Sequence, residues 1–186
     1  MSMVLHLRLL PQPAPQAAPD EACLAAFQEQ LDYVWRTLRR FGTPPSEVED
    51  LVQEVFLALR RSWSEYDPER PLRPYLFGIA FRIASAQQRK RRREVVSSAI
   101  EVGDAGPGPE DALQAKQARV AVLAALERIP LPRRAVLVMH DLDGVPVGEA
   151  AAALSIPLFT AYSRLRKARK ELETALRRSL KETAAP

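Results

Sequence analysis

Two histidines and one cysteine are the side chains of this 186-residue chain best suited to acid–base, nucleophilic or metal chemistry. Their settings do not favour it. His6 stands in the N-terminal tail. His140 adjoins Asp141, a pairing that can be read as a base with its orienting carboxylate, or more simply as a surface pair compatible with the dipole of a helix end. Cys23 lies beside an apolar stripe with no His or Lys next to it, so it reads as a small buried hydrophobe rather than a reactive thiol. A single cysteine also excludes an internal disulfide and a thiolate zinc site. No HxxxH spacing, cysteine cluster or glycine-rich phosphate loop occurs. The chain therefore reads as no enzyme, with no metal and no cofactor.

What remains is the chemistry of charge. Between about residues 46 and 63, at roughly 100° per residue, Val48, Leu51, Val52, Val55, Phe56, Leu59 and Trp63 fall on one side of a helix. Asp50, Gln53, Glu54 and Leu57 fall on the other, with Glu49 beside them. A polar face can simply be solvated, but a leucine in its middle suggests a protein contact that excludes water. The opposite sign appears at Arg89-Lys90-Arg91-Arg92-Arg93, which ends a helix whose outer face reads as Phe77, Phe81, Arg82 and Ser85. Aromatics beside cations suit unpaired bases; a solvated helix end is the plainer alternative. A third cluster lies on a helix starting near Leu158, where Phe159, Ser163, Arg166, Lys167 and Lys170 share one side and Leu158, Ala161, Leu165, Ala168 and Leu172 the other. A short helix and the turn Ser155-Ile156-Pro157 precede it. Two short helices, the second with a basic outer face, follow the helix-turn-helix plan for reading a major groove.

The elements that must position these clusters are all helical by their periodicity. Hydrophobic residues make up 47% and charged residues 27% of the chain, with 27 Lys+Arg against 23 Asp+Glu, which excludes wholesale disorder. No apolar run is long enough to span a membrane. Residues 1–10 are apolar but lack a basic leader and a cleavage site, so a cytoplasmic chain is expected. Prolines 11, 13, 15 and 19 stiffen an N-terminal extension, residues 1–20, whose role is unread. Asp20 is expected to cap one helix carrying Leu24, Phe27, Leu31, Val34, Leu38 and Phe41, stopped by Gly42. Thr43 or Ser46 is expected to cap the next. After Asp67-Pro68-Glu69-Arg70-Pro71, a third helix directs Leu72, Tyr75, Leu76, Ile79 and Ile83 inward. Residues 95–111, rich in glycine, proline and acid, read as a flexible linker. Periodicity resumes at Leu113, Val120, Leu123 and Leu126 and continues through Val136, Leu137 and Leu142. The expectation is an all-α protein of two small helical domains, 21–94 and 112–180.

In order, these features resemble a bacterial RNA polymerase sigma factor of the extracytoplasmic-function type. The stretch Val48-Glu49-Asp50-Leu51-Val52-Gln53-Glu54-Val55-Phe56-Leu57 is similar to the family's polymerase-binding helix. Tyr66-Asp67-Pro68-Glu69-Arg70-Pro71, Tyr75-Leu76 and Ile79-Ala80 follow its second region. Leu131-Pro132-Arg133-Arg134, Leu142-Asp143-Gly144, Ile156-Pro157, Ser163-Arg164-Leu165 and Ala168-Arg169-Lys170 follow its promoter-reading domain.

The resemblance implies that Glu49, Asp50, Gln53, Glu54 and Leu57 dock on the coiled coil of the polymerase's largest subunit. It implies minus-ten contacts from Tyr75, Phe81, Arg82, Ser85, Arg89 and Arg92. Minus-thirty-five contacts would come from Phe159, Thr160, Tyr162, Ser163, Arg166, Lys167 and Lys170. The linker would run near the RNA path, and an anti-sigma factor would hold and tether the chain when it is not on the polymerase and nucleoid. This sequence departs from the family at Arg82, where Asn is common, and at Ala86, Tyr162, Ser155 (usually Gly) and Pro146 (usually a capping Ser). A stand-alone helix-turn-helix regulator, dimerising through its first domain, is the other class the residues allow. A hydrolase or transferase finds no convergent groups.

Overall fold

A computed structural model describes residues 19–95 and 110–183, with side chains placed from 20 to 93 and from 119 to 178. The N-terminal extension up to residue 18 and nearly all of the expected acidic linker lie outside the described residues. Every regular element among those described is helical, as the periodicity requires.

The first half is built from α1 (Pro19–Glu29), α2 (Leu31–Arg40), α3 (Pro45–Arg61) and α4 (Leu72–Val95), with a 3₁₀ turn (Trp63–Glu65) after α3. Where one helix was expected from residue 20 to 41 there are two, because the backbone leaves helical geometry at Gln30 (φ −107°, ψ 5°). The break rotates the two stripes apart. Phe27, Val34, Leu38 and Phe41 are buried, while Leu24 and Leu31 stay in water. Asp20 lies inside α1 and does not cap it; its carboxylate accepts two bonds from Arg60, both at 2.9 Å. Gly42 does end α2, at φ +80°, and the Thr43 amide donates to the Leu38 carbonyl in the pattern of a left-handed helix stop.

Neither Thr43 nor Ser46 caps α3. Pro44 takes the cap position and Pro45 the first helical one, where a missing N–H costs nothing. Val48, Leu51, Val52, Val55 and Leu59 are buried along one side of α3, each stabilising the fold by about 2 kcal/mol at most. On α4, Leu76 and Ile79 face inward as expected, while Leu72, Tyr75 and Ile83 of the same stripe are only half-buried, and Ala80 and Ala84 are buried beside them.

The second half comprises α5 (Glu110–Glu127), α6 (Leu131–Leu137), a π-helical turn (Val138–Leu142) continuing it, α7 (Val147–Ala153) and α8 (Leu158–Thr183). Its core is Leu126, Ile129, Leu131, Val136–Met139, Ala150, Ala161, Leu165 and Ala168. Three residues of the expected stripes, Val120, Leu142 and Leu158, are exposed instead, since each lies at or beyond the edge of its packed face. The two halves share one continuous apolar cluster, with α5 lying on α2 and α7 on α4.

Arg134 is buried in that cluster and satisfied entirely by backbone. It donates to the carbonyls of Glu127 (2.7 Å), Ile129 (2.9 and 3.1 Å) and Arg40 (3.4 Å), thereby closing the ends of α5 and α2. Burial pulls its guanidinium down to about 10.

Ser155, in the turn between α7 and α8, has φ +53°. This left-handed backbone costs an L-residue roughly 1–2 kcal/mol, partly offset in glycine by chain entropy. Replacing Ser155 with Gly is expected to stabilise the chain by about 0.5 kcal/mol and raise Tm by about 1–2 °C, measured by thermal circular dichroism.

Candidate functional site

Burying the apolar side of α3 commits its other side to solvent. Glu49, Asp50, Gln53 and Glu54 are all exposed, and Leu57 is 45% exposed among them. The five expected docking residues therefore form one outward surface: an acidic flank with an apolar centre. Among the described residues no side-chain hydrogen bond, ion pair or ring contact engages any of the five.

The expected minus-ten set on α4 is less uniform. Arg82, Arg89 and Arg92 are exposed; Phe81 and Ser85 are half-buried. Gly78, Arg82, Ser85 and Arg89 succeed one another at gaps of four, three and four, so they lie within about 40° of one line along the helix. Phe77 does not belong to this outer face. It is fully buried, edge-on to Phe41 at 5.1 Å between centroids, and Phe81 packs on the same ring at 6.2 Å. The pair of exposed aromatics expected from the sequence is thus one half of the core and one shoulder of it. Tyr75 is also drawn inward, its hydroxyl donating to Ser62 Oγ at 2.8 Å and its ring against Tyr66. Within the basic run, Arg91 pairs with Glu47 at 3.2 Å, while the residues on either side of it stay exposed.

The basic helix α8 presents its expected residues together. Phe159, Ser163, Arg166 and Lys170 follow one line, flanked by Tyr162 and Lys167. Phe159 is 84% exposed and Tyr162 56%; Arg166, Lys167 and Lys170 are exposed, and Thr160 and Ser163 half-buried. An open groove between the start of α6 and the first turns of α8 is lined by Pro130, Arg133, Thr160, Ser163 and Lys167. Arg133 reaches across to Glu171 at 3.0 Å, fixing α6 against α8. The helix before the turn, α7, has Pro146 at its cap position and no side-chain cap bond.

His140 and Asp141 do not form a base and its orienter. The His140 Nδ1 lies 2.8 Å from the Val145 carbonyl, and the nearest approach of Nε2 to Asp141 is 3.9 Å. Asp141 instead accepts both arms of the Arg169 fork, at 2.6 and 2.9 Å. That fork holds its carboxyl below the usual carboxylate value. Cys23 is buried and unpaired to any other sulfur, and burial pushes its thiol up. Among the described residues no cluster of three or more His, Cys, Asp or Glu could hold a metal, and no helix is long and apolar enough to cross a membrane.

Sequence reasoning missed a further cluster. Asp143, read only as a turn residue, accepts from Tyr33 Oη at 3.0 Å and from Arg40 at 2.6 Å, both on α2. Burial, then the Asp143 carboxylate, push the Tyr33 phenol well above its usual value. Contacts more than 100 residues apart in the chain leave no local signal of spacing.

Comparison with known proteins gives a consistent likeness. The profile of sigma-70 region 2 matches residues 26–94, and that of sigma-70 region 4 matches residues 119–172. The RNA polymerase sigma factor CnrH of Cupriavidus metallidurans is 32% identical over 148 residues, covering 74% of this chain and 78% of its own length. The extracytoplasmic-function sigma factor SigL of Mycobacterium tuberculosis is 30% identical, over 86% of this chain and 93% of its own. Among solved structures, CnrH in complex with the cytosolic domain of CnrY aligns with a TM-score of 0.59 at 25% identity, over 85% of this chain and 92% of that one. The sigma factor RpoE of Bartonella quintana, in complex with the anti-sigma factor NepR, gives the same TM-score and identity over 82% and 97%.

The Asp141–Arg169 fork has a pH signature. A carboxyl depressed by folding adds stability above its unfolded value of 3.8 and loses it as pH falls through the folded value. The Tm gap between wild type and Asp141→Asn is therefore expected to be open at pH 7 and to narrow as the pH is taken below 3.8, measured by thermal melts across an acid pH series.

Proposed function

The chain belongs to the extracytoplasmic-function RNA polymerase sigma factors, which direct transcription initiation, and on that footing we propose how its surfaces divide the work. The outward face of α3, with Glu49, Asp50, Gln53, Glu54 and Leu57, docks on the coiled coil of the polymerase's largest subunit. The carboxylates steer the encounter and Leu57 excludes water at its centre. The single observation that carries this reading is the exposure of all five on a helix whose other side is buried.

The exposed line of α4 contacts the minus-ten element. Arg82, Arg89 and Arg92 supply cations along it, Phe81 and Ser85 its shoulder, and Tyr75 supports the turn before it. Extruding a base from the stack costs a few kcal/mol, which binding to the polymerase and to phosphate must offset. The first turns of α8 enter the major groove at the minus-thirty-five element, as N-terminal residues of recognition helices do. Arg166 is suited to a guanine edge, Lys167 and Lys170 to phosphate, and Phe159 and Tyr162 to the apolar and polar edges of neighbouring bases. The domains are residues 21–94 and 112–180, joined by the acidic segment 95–111. The chain performs no catalysis itself, works at the nucleoid when on the polymerase, and is held by an anti-sigma factor otherwise. The solved complex of the Bartonella quintana sigma factor RpoE with the anti-sigma factor NepR supports that last point.

Exposed surface substitutions shift stability by no more than about 0.5 kcal/mol, so function and fold can be separated. Glu54→Lys, alone or with Gln53→Ala, is expected to abolish run-off transcription with core polymerase while leaving the circular dichroism spectrum unchanged. Arg166→Ala is expected to cost about 1–3 kcal/mol at one base pair of the minus-thirty-five element, and Lys170→Ala to weaken all sequences evenly with a salt slope lower by about one. Promoter binding measured across a salt series reads both.

A further inference from the structure

The outer turns of α4 leave the core. Ala84 is its last buried side chain among the described residues, and from Ser85 to Arg93 every side chain is half-buried or exposed. Yet the helix runs on to Val95, about 16 Å past Ala84, and carries Arg89 and Arg92 with it. Apolar burial therefore does not fix its direction there. Polar contacts do. Glu47 lies in the first turn of α3. One of its carboxylate oxygens accepts from Gln87 Nε2 at 3.2 Å, and the other pairs with Arg91 Nη2 at 3.2 Å. Beside them Gln88 Nε2 donates to the Phe41 carbonyl at 2.9 Å.

At roughly 100° per residue, Gln87 and Arg91 fall on the side of Ala80 and Ala84, opposite the line of Gly78, Arg82, Ser85 and Arg89. Arg91 thus differs from its neighbours in the basic run. It is turned to α3, and they face solvent. The Glu47 carboxylate stands near a helix N-terminus, where the dipole favours negative charge. Arg91 is 44% and Glu47 30% exposed, a setting in which an ion pair adds little to overall stability. What the pair supplies is direction. A tilt of about 10° at Ala84 would carry Arg92, two turns on, by about 2 Å, past the range of a hydrogen bond to a fixed phosphate.

We infer that Glu47 is a positioning residue for the minus-ten contacts: through Arg91 and Gln87 it holds the outer turns of α4 against α3, so that Arg89 and Arg92 meet the DNA backbone at fixed places. The inference rests on the assignment of the exposed line of α4 to that element. It gives an acidic residue a favourable part in binding a polyanion, the reverse of what its charge alone dictates. A carboxylate near DNA repels phosphate, so as a bare charge its removal tightens binding; as a fastening, its removal loosens it. Glu47 is also next in line to Glu49 and Asp50, so the turns of α3 that present the docking acids are the ones that aim the basic end of α4.

The test uses the full chain assembled with core polymerase, and as probe a promoter selected from a randomised pool by the wild-type assembly. Glu47→Ala should weaken binding about fivefold, although it raises the net charge from +4 to +5, and should lower the salt slope by about one. Arg91→Ala should weaken it by the same factor, and the double variant by no more than either single, because both remove one interaction. Exchanging the charges, Glu47→Arg with Arg91→Glu, should return binding to within about twofold of wild type. In the chain alone, amide exchange of residues 85–95 should quicken in each single variant while the earlier turns of α4 keep their protection. Equal or tighter promoter binding by Glu47→Ala overturns the inference, as does unchanged amide exchange. An additive double variant overturns it too, by putting Arg91 on the phosphate itself. Loss of assembly between Glu47→Ala and core polymerase on a sizing column does the same, by placing Glu47 in the docking surface. Arg89→Ala tests the underlying reading: if it leaves affinity and salt slope unchanged, the assignment of α4 to the minus-ten element fails, and amide exchange alone then decides the fastening.

Discussion

Val48, Leu51, Val52, Val55 and Leu59 must all leave water along one side of α3, and the rest of the molecule is arranged by that demand. A helix 17 residues long has one face to bury, so whatever alternates with those positions is pressed outward. The acidic flank is the consequence. It needs no separate device to display it, only a core that accepts the other side, and α2 and α4 provide that core. The same burial holds α4 at an angle where Leu76, Phe77, Ile79 and Ala80 are inside and Arg82, Arg89 and Arg92 are outside. Two charged faces thus follow from one packing constraint, and neither can be re-aimed without opening the core.

Charge is handled differently in the interior and at the rim. Arg134 is taken out of water and hydrogen-bonded only to carbonyl oxygens, so it closes helix ends, with the Glu127 carboxylate acting on it only through its field. Asp143 is nearly as sheltered but faces two donors from the other half of the chain. Losing one partner of such a part-buried group leaves the other unsatisfied, which makes a contact of this kind cooperative: it holds or it parts. The exposed pairs, Arg60–Asp20 and Arg177–Glu173, lie in water and contribute little by comparison.

Some departures from the family pattern acquire a physical meaning. Ser155 stands where glycine is usual and adopts the left-handed backbone that glycine would adopt freely, so the turn of the helix-turn-helix is kept at some cost. Pro146 stands where a capping serine is usual and supplies the fixed φ of a helix entry without a cap bond. Tyr162 and Phe159 place aromatic surface on the open side of α8, and the structure gives no internal reason for either to be so exposed.

The helical class, the two-part organisation and the acidic and basic faces were legible in the order of residues alone, because amphipathic periodicity is a local property: each position is placed by its neighbours three and four away. Gly42 as a stop and the outward set on α3 belong to the same kind. What neighbours could not settle is where a stripe ends against another helix. Leu24, Leu31 and Leu158 fit their periodicities yet stay in water, Phe77 looks like an outer-face residue yet is the centre of the packing with Phe41, and Gln30 breaks a pattern that reads as unbroken. The seam that joins Asp143 to Tyr33 and Arg40, and Gly78 to Ala153, was decided by tertiary structure alone, since the partners are brought together by chain closure and no spacing in the sequence encodes a contact between residues so far apart.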